Sequence, residues 1–181
     1  MSGPQFSGEW IATEIVYYWI TRFPCFVTLR YDSYRDIFIF DMHDERNWTT
    51  VGTALYETDL LSCLGDFPAP QGSVSAVLQK NVFDETFFRI LNPFAYAGVN
   101  SPGHIILQIN EDNVSVPLSF TGVRFLPLPD EYPDVEGDLW LEGSGTIDED
   151  NVLHFAEAGL IPWSDWNGSL PAIDIRLKFD E

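Results

Sequence analysis

The stretch Ile173–Phe179, IDIRLKF, decides the fold class because apolar and polar residues alternate along its whole length. Its isoleucines, leucine and phenylalanine fall on one face of an extended chain, and its charged residues fall on the other. This alternation is typical of a strand that packs one face on a core and turns the other toward water. It predicts an antiparallel sheet.

The same alternation recurs upstream. Val114–Phe120 (VSVPLSF) follows His104–Asn110 (HIILQIN) after a turn rich in Asn and Asp, which predicts a hairpin. Pro117 favours an edge position for the second strand, because proline donates no ladder hydrogen bond. Cys25–Tyr31 and Asp36–Met42 predict another hairpin, with Asp and Ser in the turn between them. Further strands are predicted at residues 9–20, 48–58, 73–80, 123–127, 138–142 and 151–155.

One segment favours a helix instead. Between Asp84 and Ala97, large apolar residues recur at intervals of three and four after a capping-type aspartate, and Pro93 limits the helix. The predicted fold class is therefore mainly β: a curved antiparallel sheet, or an unclosed or closed β-barrel, with one short helix. Because neither a repeat nor a linker divides the chain, we expect a single β-rich domain over residues 1–181.

The net charge excludes several classes of function. The chain has 28 acidic and 9 basic residues and a formal net charge of −19. Nucleic acids and anionic membranes attract clustered cations, so neither is a predicted partner. The start of the chain, MSGPQFSGEW, lacks the pattern of a secretion signal and predicts a cytoplasmic protein. Cys25 and Cys63 are then expected to be reduced, buried thiols.

The usual cofactor and metal motifs are absent from the sequence. There is no GxGxxG, GxxxxGK[ST], GxSxG or HExxH pattern, and His43, His104 and His154 are scattered. The acidic run Asp148–Asn151 lacks the spacing of a calcium loop and favours a solvated turn. We expect neither a cofactor nor a metal. Residues 125–175 contain many acids but no lysine or arginine, which suits either solubility or a basic partner.

Aromatic residues on the predicted strands indicate a pocket. In the stretch IVYYWI, residues 15–20, alternation places bulky side chains on both faces, so that one face can meet a second layer or a planar ligand. Tyr31 and Tyr56 extend this set. Glu57 and Asp59 fall on the same face of a strand end, where desolvation would make either carboxylate a proton carrier. A solid β-layer core and a solvated strand end are the alternatives.

A resemblance to a known family is carried by short patches in roughly the first third of the chain. They are Ile15–Trp19, Tyr31–Asp32 with Arg35–Ile37 and Asp41, Leu55–Tyr56 with Thr58–Asp59, and a weaker similarity at Asp84–Thr86. These patches resemble the cofactor-free, indole-rearranging enzymes of violacein biosynthesis, whose fold is similar to that of lipoprotein carriers. The resemblance implies a curved, barrel-like sheet over a hydrophobic groove.

The resemblance also implies roles for single residues. Asp59 takes the place of the catalytic acid, and Tyr17 takes the place of a pocket serine. The sequence departs from the family at Ile15, where the family has a tyrosine, and at Asp44-Glu45, where it has Phe-Asn. Arg176 is the only candidate for the arginine in the second half of the family's sequence, which suits a substrate carboxylate.

Three classes of function follow from these observations. The leading hypothesis is a cofactor-independent cyclase or isomerase of natural-product biosynthesis that orients a hydrophobic intermediate, either aromatic or a polyene, in a β-barrel cavity. Its catalytic residues would be Asp59, Glu57 and Tyr17, and its substrate-binding residues Ile15, Trp19, Tyr31, Tyr56 and Arg35. The second class is a non-catalytic carrier of a small hydrophobic molecule. The third is an acidic interaction or inhibitor protein, such as an immunity protein or a nucleic-acid mimic, that presents residues 130–150 to a basic partner. A homodimer is compatible with all three.

Overall fold

The computed structural model describes most of the chain after residue 44 and three short strands before it. The described residues are 10–12, 25–32, 37–41, 45–57, 72–97, 103–125, 137–163 and 170–180, and before residue 45 only the backbone is described. The protein is mainly β and forms two antiparallel sheets.

The N-terminal sheet has three strands. They are β1 (Trp10–Ala12), β2 (Cys25–Asp32) and β3 (Ile37–Asp41), in the order β1-β2-β3. The pairing of β2 with β3, which ends at Asp32↔Ile37, confirms one of the two predicted hairpins, and the pairing of residues 108–110 with 113–115 in the larger sheet confirms the other. A 3-10 turn at Glu45–Asn47 contacts β2 and leads into the larger sheet.

The larger sheet is an antiparallel, closed eight-stranded barrel. Its strands are β4 (Trp48–Tyr56), β5 (Val74–Asn81), β6 (Phe87–Leu91), β7 (His104–Asn110), β8 (Asn113–Phe125), β9 (Gly137–Ile147), β10 (Val152–Phe155), β11 (Leu160–Trp163) and β12 (Ile173–Phe179). Each strand from β4 to β9 pairs with the next along the chain, and β12 pairs with both β10 and β4. The topology is therefore an up-and-down meander that closes on itself.

The strands β10 and β11 together occupy one position in the barrel. β10 pairs with β9 at Leu153↔Ile147, and β11 pairs with the same edge of β9 at Leu160↔Gly143. Residues 156–159 bulge out between them. This explains why the ring has eight positions although nine strands contribute to the sheet.

Apolar side chains fill the barrel interior. Alternate side chains of the strands point inward and form a single buried cluster. Its members include Ala54, Leu78, Ile90, Leu107, Val116, Leu141, Leu153 and Leu177. Leu78, Ile90, Leu107 and Leu153 have 0% of their surface exposed. An eight-stranded barrel is just wide enough to be filled in this way.

Glycine permits the close approach of strands at the seam between β4 and β12. Gly52 follows a β-bulge after Thr50 and has a φ of 154°. A Cβ atom at this position would overlap the backbone carbonyl of Lys178. Any side chain here would push β12 away from β4, so the closure of the barrel depends on this glycine.

The prediction of a helix at residues 84–97 was wrong. Phe87–Leu91 is strand β6, and a 3-10 turn is present only at residues 95–97. The apolar spacing resembles that of a helix because β6 is covered on both faces. Ile90 inside the barrel is 0% exposed, and Phe87 on the outer face is 4% exposed. A strand buried on both sides loses the alternation that distinguishes it from a helix.

The prediction of an edge position at Pro117 was also wrong. Its strand, β8, lies between β7 and β9, and it accommodates the proline at an irregularity between Val116 and Ser119. The segments predicted as separate strands at 114–120 and 123–127 belong to this one strand, and β11 was not predicted. The remaining predicted strands are confirmed, except that most of 9–20 lies outside the described residues.

An ion pair between the buried Arg89 and the exposed Glu45, whose side chain is 71% exposed, lies on the outer face of β5 and β6. The Arg89 side chain is 2% exposed, and its guanidinium donates to both carboxylate oxygens of Glu45 at 2.9 Å and to Gln79 Oε1 at 2.6 Å. Arg89 Cζ lies 4.8 Å from the ring centre of Trp48. Burial lowers the pKa of the guanidinium, and the Glu45 carboxylate acts in the opposite direction. The cluster attaches the 3-10 turn before β4 to the barrel wall.

Replacing Glu45 by glutamine should lower the free energy of unfolding by about 1 to 2 kcal/mol, because the buried Arg89 loses its charged partner, while solvent around the exposed Glu45 screens part of the loss. Glu85→Gln is the matched control. Glu85 pairs with Lys80 at 3.1 Å, but the Lys80 side chain is 32% exposed whereas that of Arg89 is 2% exposed, and exposed pairs contribute at most about 1 kcal/mol. Urea unfolding of both variants measures the two changes in the free energy of unfolding. Equal decreases would show that the Arg89–Glu45 pair stabilises the protein no more than the Lys80–Glu85 pair does.

Candidate functional site

Part of the predicted site lies within the described residues. Ile15, Tyr17, Trp19, Arg35 and Asp59 lie outside them, and for Tyr31, in β2, only the backbone is described. Tyr56 ends β4, and Glu57 follows it. The roles assigned to the other residues stay predictions.

Tyr56 anchors one end of the barrel. The residue is 4% exposed, and its hydroxyl donates a hydrogen bond to the Pro93 carbonyl oxygen. Burial, and next the neighbouring Tyr96, hold the pKa of this hydroxyl well above its ordinary value. Because the hydroxyl stays protonated and bonded to the backbone, it attaches the β6–β7 connection to β4.

An open groove lies beside Tyr56, along the outer side of β4, β12 and β10. We call it the β4–β12 groove. Its volume is about 550 Å³, which is within the usual range for small-molecule sites. Its polar lining includes Glu57, Ser73, Asp174 and Arg176, and the exposed Glu57 accepts a hydrogen bond of 2.7 Å from Ser73 Oγ. The groove thus brings together Tyr56, Glu57 and Arg176.

One end of the barrel is formed by acidic turns, because every second turn of a meander lies at the same end. This acidic end consists of the 3-10 turn 45–47, the turns 82–86, 111–112 and 148–151, and Asp180. Backbone hydrogen bonds from Val82 to Asn47, from Ile147 to Asp112 and from Asp180 to Val51 join these segments. Its carboxylates belong to Glu45, Asp84, Glu85, Glu111, Asp112, Asp148, Glu149, Asp150 and Asp180.

Few cations balance these carboxylates. Among the described residues, Arg46, Lys80 and Lys178 lie near the acidic end, in addition to the buried Arg89. Lys80 is bonded to Glu85. The sequence reasoning missed this arrangement because it considered the acids of residues 125–175 as one segment. The signal that could have found it is the recurrence of Asp and Glu in the turns FDET, NEDN and DEDN, which follow every second strand of the meander.

Side-chain hydrogen bonds hold two of the acidic turns in one conformation. Asn81 Oδ1 accepts from the backbone N–H groups of Phe83 and Asp84 at 2.8 and 3.1 Å. Asp148 Oδ1 accepts from the backbone N–H groups of Asp150 and Val152, both at 2.9 Å. These are the Asx-type contacts that stabilise turns. The carboxylates of the acidic end are therefore presented by ordered backbone.

Apolar side chains are exposed at the same end. Phe88 of β6 and Phe179 of β12 meet edge to face, with ring centres 6.0 Å apart and an interplanar angle of 67°. Phe179 is 44% exposed, and Val82 and Phe83 in the turn after β5 are 48% and 37% exposed. We call Val82, Phe83, Phe88 and Phe179 the apolar centre. Its two phenylalanine rings, Phe88 and Phe179, are in contact, and Val82 and Phe83 lie in the turn that leads into β6.

His154 is held between two carboxylates on the barrel surface. Its Nδ1 lies 2.8 Å from Asp174 Oδ1, and its Nε2 lies 3.0 Å from Asp148 Oδ2. The hydrogen bonds to Asp148 and then to Asp174 raise the pKa of the imidazole. The backbone N–H of Val152, followed by His154, lowers the pKa of the Asp148 carboxyl. His154 thus ties the turn 148–151 to β12.

Neither the described side chains nor known proteins add a functional assignment to these features. No group of three or more His, Cys, Asp or Glu side chains in the described ranges is arranged to hold a metal ion. Within the part of the chain that the structure describes, no helix has the length and apolar character needed to cross a membrane. No family model, no curated protein and no solved structure matches the chain.

The His154 contacts predict a pH dependence of stability. Because the pKa of His154 is raised on folding above its ordinary value of 6.5, its contribution is complete below that pH and is lost as the pH rises through the folded pKa. The Asp148 contribution has the opposite sign: it is present above the ordinary pKa of 3.8 and is lost at lower pH. The stability difference between wild type and His154→Gln should therefore shrink from about pH 5.5 to about pH 9.

Urea unfolding at the two pH values measures this difference. An NMR titration provides the control, since Asp174→Asn should lower the pKa of His154 toward its ordinary value. A histidine that titrates at the ordinary value in the wild type would contradict the prediction.

Proposed function

We propose that this protein is an acidic interaction module that binds a positively charged protein partner through the acidic end of its barrel. The observation that carries the proposal is the convergence of carboxylates from separate turns around one end of a closed barrel. The proposal is the third class of function considered from the sequence. Of the binding surface predicted from the sequence, residues 130–150, the proposal retains only Asp148–Asp150. The rest of the proposed surface consists of the other turns of the acidic end. A cytoplasmic location is part of the proposal.

The filled interior favours this proposal over an enzyme that works in a central cavity. A chamber wide enough for a small organic molecule would also admit water, and the side chains that line it would be partly exposed. The inward side chains in the middle of the described strands are nearly or fully inaccessible, for example Ala54 and Leu153 at 0%. Binding is therefore expected on the outer surface of the barrel.

The electrostatics also support a basic partner. An uncompensated negative field attracts a cationic partner over a distance and accelerates association. The same field repels nucleic acid and anionic membranes. Because the side chains of Asn81 and Asp148 accept backbone hydrogen bonds that already order two of the turns, little conformational entropy is lost on binding.

The test uses the full chain and a fluorescent oligolysine peptide. Glu111→Gln with Glu149→Gln removes two charges from the acidic end, and the matched pair Glu57→Gln with Glu142→Gln removes two charges elsewhere. We expect the first pair to weaken binding about tenfold and the second less than about twofold. Fluorescence anisotropy at increasing salt measures both, and wild-type affinity should fall steeply. Equal losses for the two pairs, or binding that ignores salt, would refute the proposal.

The β4–β12 groove is the basis of a second candidate function, the binding of a small molecule. The specific observation that favours it is the convergence of Glu57 and Arg176 beside Tyr56 and the apolar Val152. Arg176 is suited to a ligand carboxylate. In this candidate the groove would hold the hydrophobic substrate of a cofactor-independent cyclase or isomerase, or the ligand of a carrier. Since Glu57 is exposed, proton transfer would depend on Asp59.

Calorimetry with indole-3-acetate, a carboxylated aromatic probe, tests the second candidate. Arg176→Gln should weaken binding about tenfold by removing a charge-assisted hydrogen bond, while Glu142→Gln should leave it unchanged. If the protein is an enzyme, Asp59→Asn should lower turnover about a hundredfold, as expected for a general acid or base. Unchanged affinity of Arg176→Gln would exclude this groove, and near-normal turnover of Asp59→Asn would remove Asp59 from the mechanism.

A further inference from the structure

We infer that the acidic end binds an amphipathic basic segment of another protein, whose apolar side chains cover the apolar centre while its lysines or arginines face the surrounding carboxylates. The inference rests on the proposed function and defines the chemistry of the partner. A merely polycationic partner would bind through charge alone and therefore more weakly.

The apolar centre is exposed to solvent, which favours a partner with apolar side chains. Phe179 is 44% exposed although its strand directs its other inward side chains into the core, and Val82 is 48% exposed. Covering apolar surface stabilises a complex by about 25 cal/mol per Å², and aromatic side chains commonly contribute most to an interface. A purely cationic chain would leave this surface in contact with water.

Carboxylates lie next to the apolar centre in the chain, which favours a partner with cations around its apolar side chains. Asp84 and Glu85 directly follow Phe83 in the chain, and Asp180 directly follows Phe179. Carboxylates therefore flank the exposed apolar side chains on two separate strand ends. An apolar centre with a charged rim is the usual arrangement of a protein interface, and the negative sign of this rim selects cations.

Charge complementarity also decides between occupants. A second copy of the chain would bring two acidic rims together, and an anionic membrane would be repelled. A segment with apolar side chains on one face and lysines or arginines at its margins satisfies both the apolar centre and the rim. The Asn81 contacts that order the turn bearing Val82 and Phe83 keep this surface formed before binding.

Two peptides of about 18 residues test the inference. One carries leucines on one helical face and lysines on the other; the second has serine in place of each leucine and the same charge. We expect the leucine peptide to bind the full chain at least about tenfold more tightly. Phe179→Ser and, separately, Val82→Ser should remove most of this preference and leave the affinity for the serine peptide unchanged.

Ile161→Ser is the matched control. Ile161 is 49% exposed on β11, away from the acidic end, so its replacement should change neither affinity. Thermal unfolding verifies that each variant is folded. Because Val82 lies in a turn, Val82→Ser still tests the inference if Phe179→Ser does not fold.

The outcomes separate the inference from the proposed function. Equal affinity for the two peptides, or an Ile161→Ser effect as large as that of Val82→Ser, would overturn the inference and leave electrostatic binding at the acidic end intact. If instead Glu111→Gln with Glu149→Gln weakens both peptides no more than the control pair does, the proposed function fails. A dimer seen by sedimentation and broken by Phe179→Ser would assign the apolar centre to a second copy and overturn the inference.

Discussion

The antiparallel pairing of β12 with β4 is the constraint on which the rest of the structure depends. The register runs from Ile175↔Tyr56 to Phe179↔Gly52 and joins the last strand to the first strand of the barrel. Without this pairing the sheet would have two free edges, and its apolar face would not be enclosed. The absence of a side chain at Gly52 allows the two backbones to approach, and the alternation in Ile173–Phe179 supplies β12 with a face for the core.

Closure also gives the barrel two different ends. At one end, Tyr56 is bonded to the Pro93 carbonyl and Phe94 is 1% exposed, so the apolar side chains there are covered by the chain itself. At the acidic end, Phe179 remains partly open to solvent, and Asp180 and the acidic turns lie at the same end. This asymmetry arises because the connections of a meander alternate between the ends, and the short acidic turns that the structure describes lie at the same end.

The sequence predicted the last strand reliably because one of its faces meets water. Ile173–Phe179 has the predicted bounds, and its buried and exposed side chains alternate along most of its length. The reasoning failed at Phe87–Leu91, where Arg89 and Phe87 are covered on the outer face and the pattern resembles that of a helix. The acidic end could not be deduced from an acid-rich span, because its members come from segments that only the register of the barrel brings together. Likewise, the proximity of Glu57 and Arg176 is a result of β4–β12 pairing.

The order of the strands has a consequence for how the chain folds. From β4 to β9, neighbours in the barrel are also neighbours in the chain, so each hairpin can form through local contacts. The β4–β12 seam is different, because its formation closes a long loop and loses the corresponding entropy. The seam is therefore expected to form late, and until it does the open edges of β4 and β12 can recruit strands from other molecules. Aggregation during synthesis is then a competition between such recruitment and the arrival of the C-terminal strand.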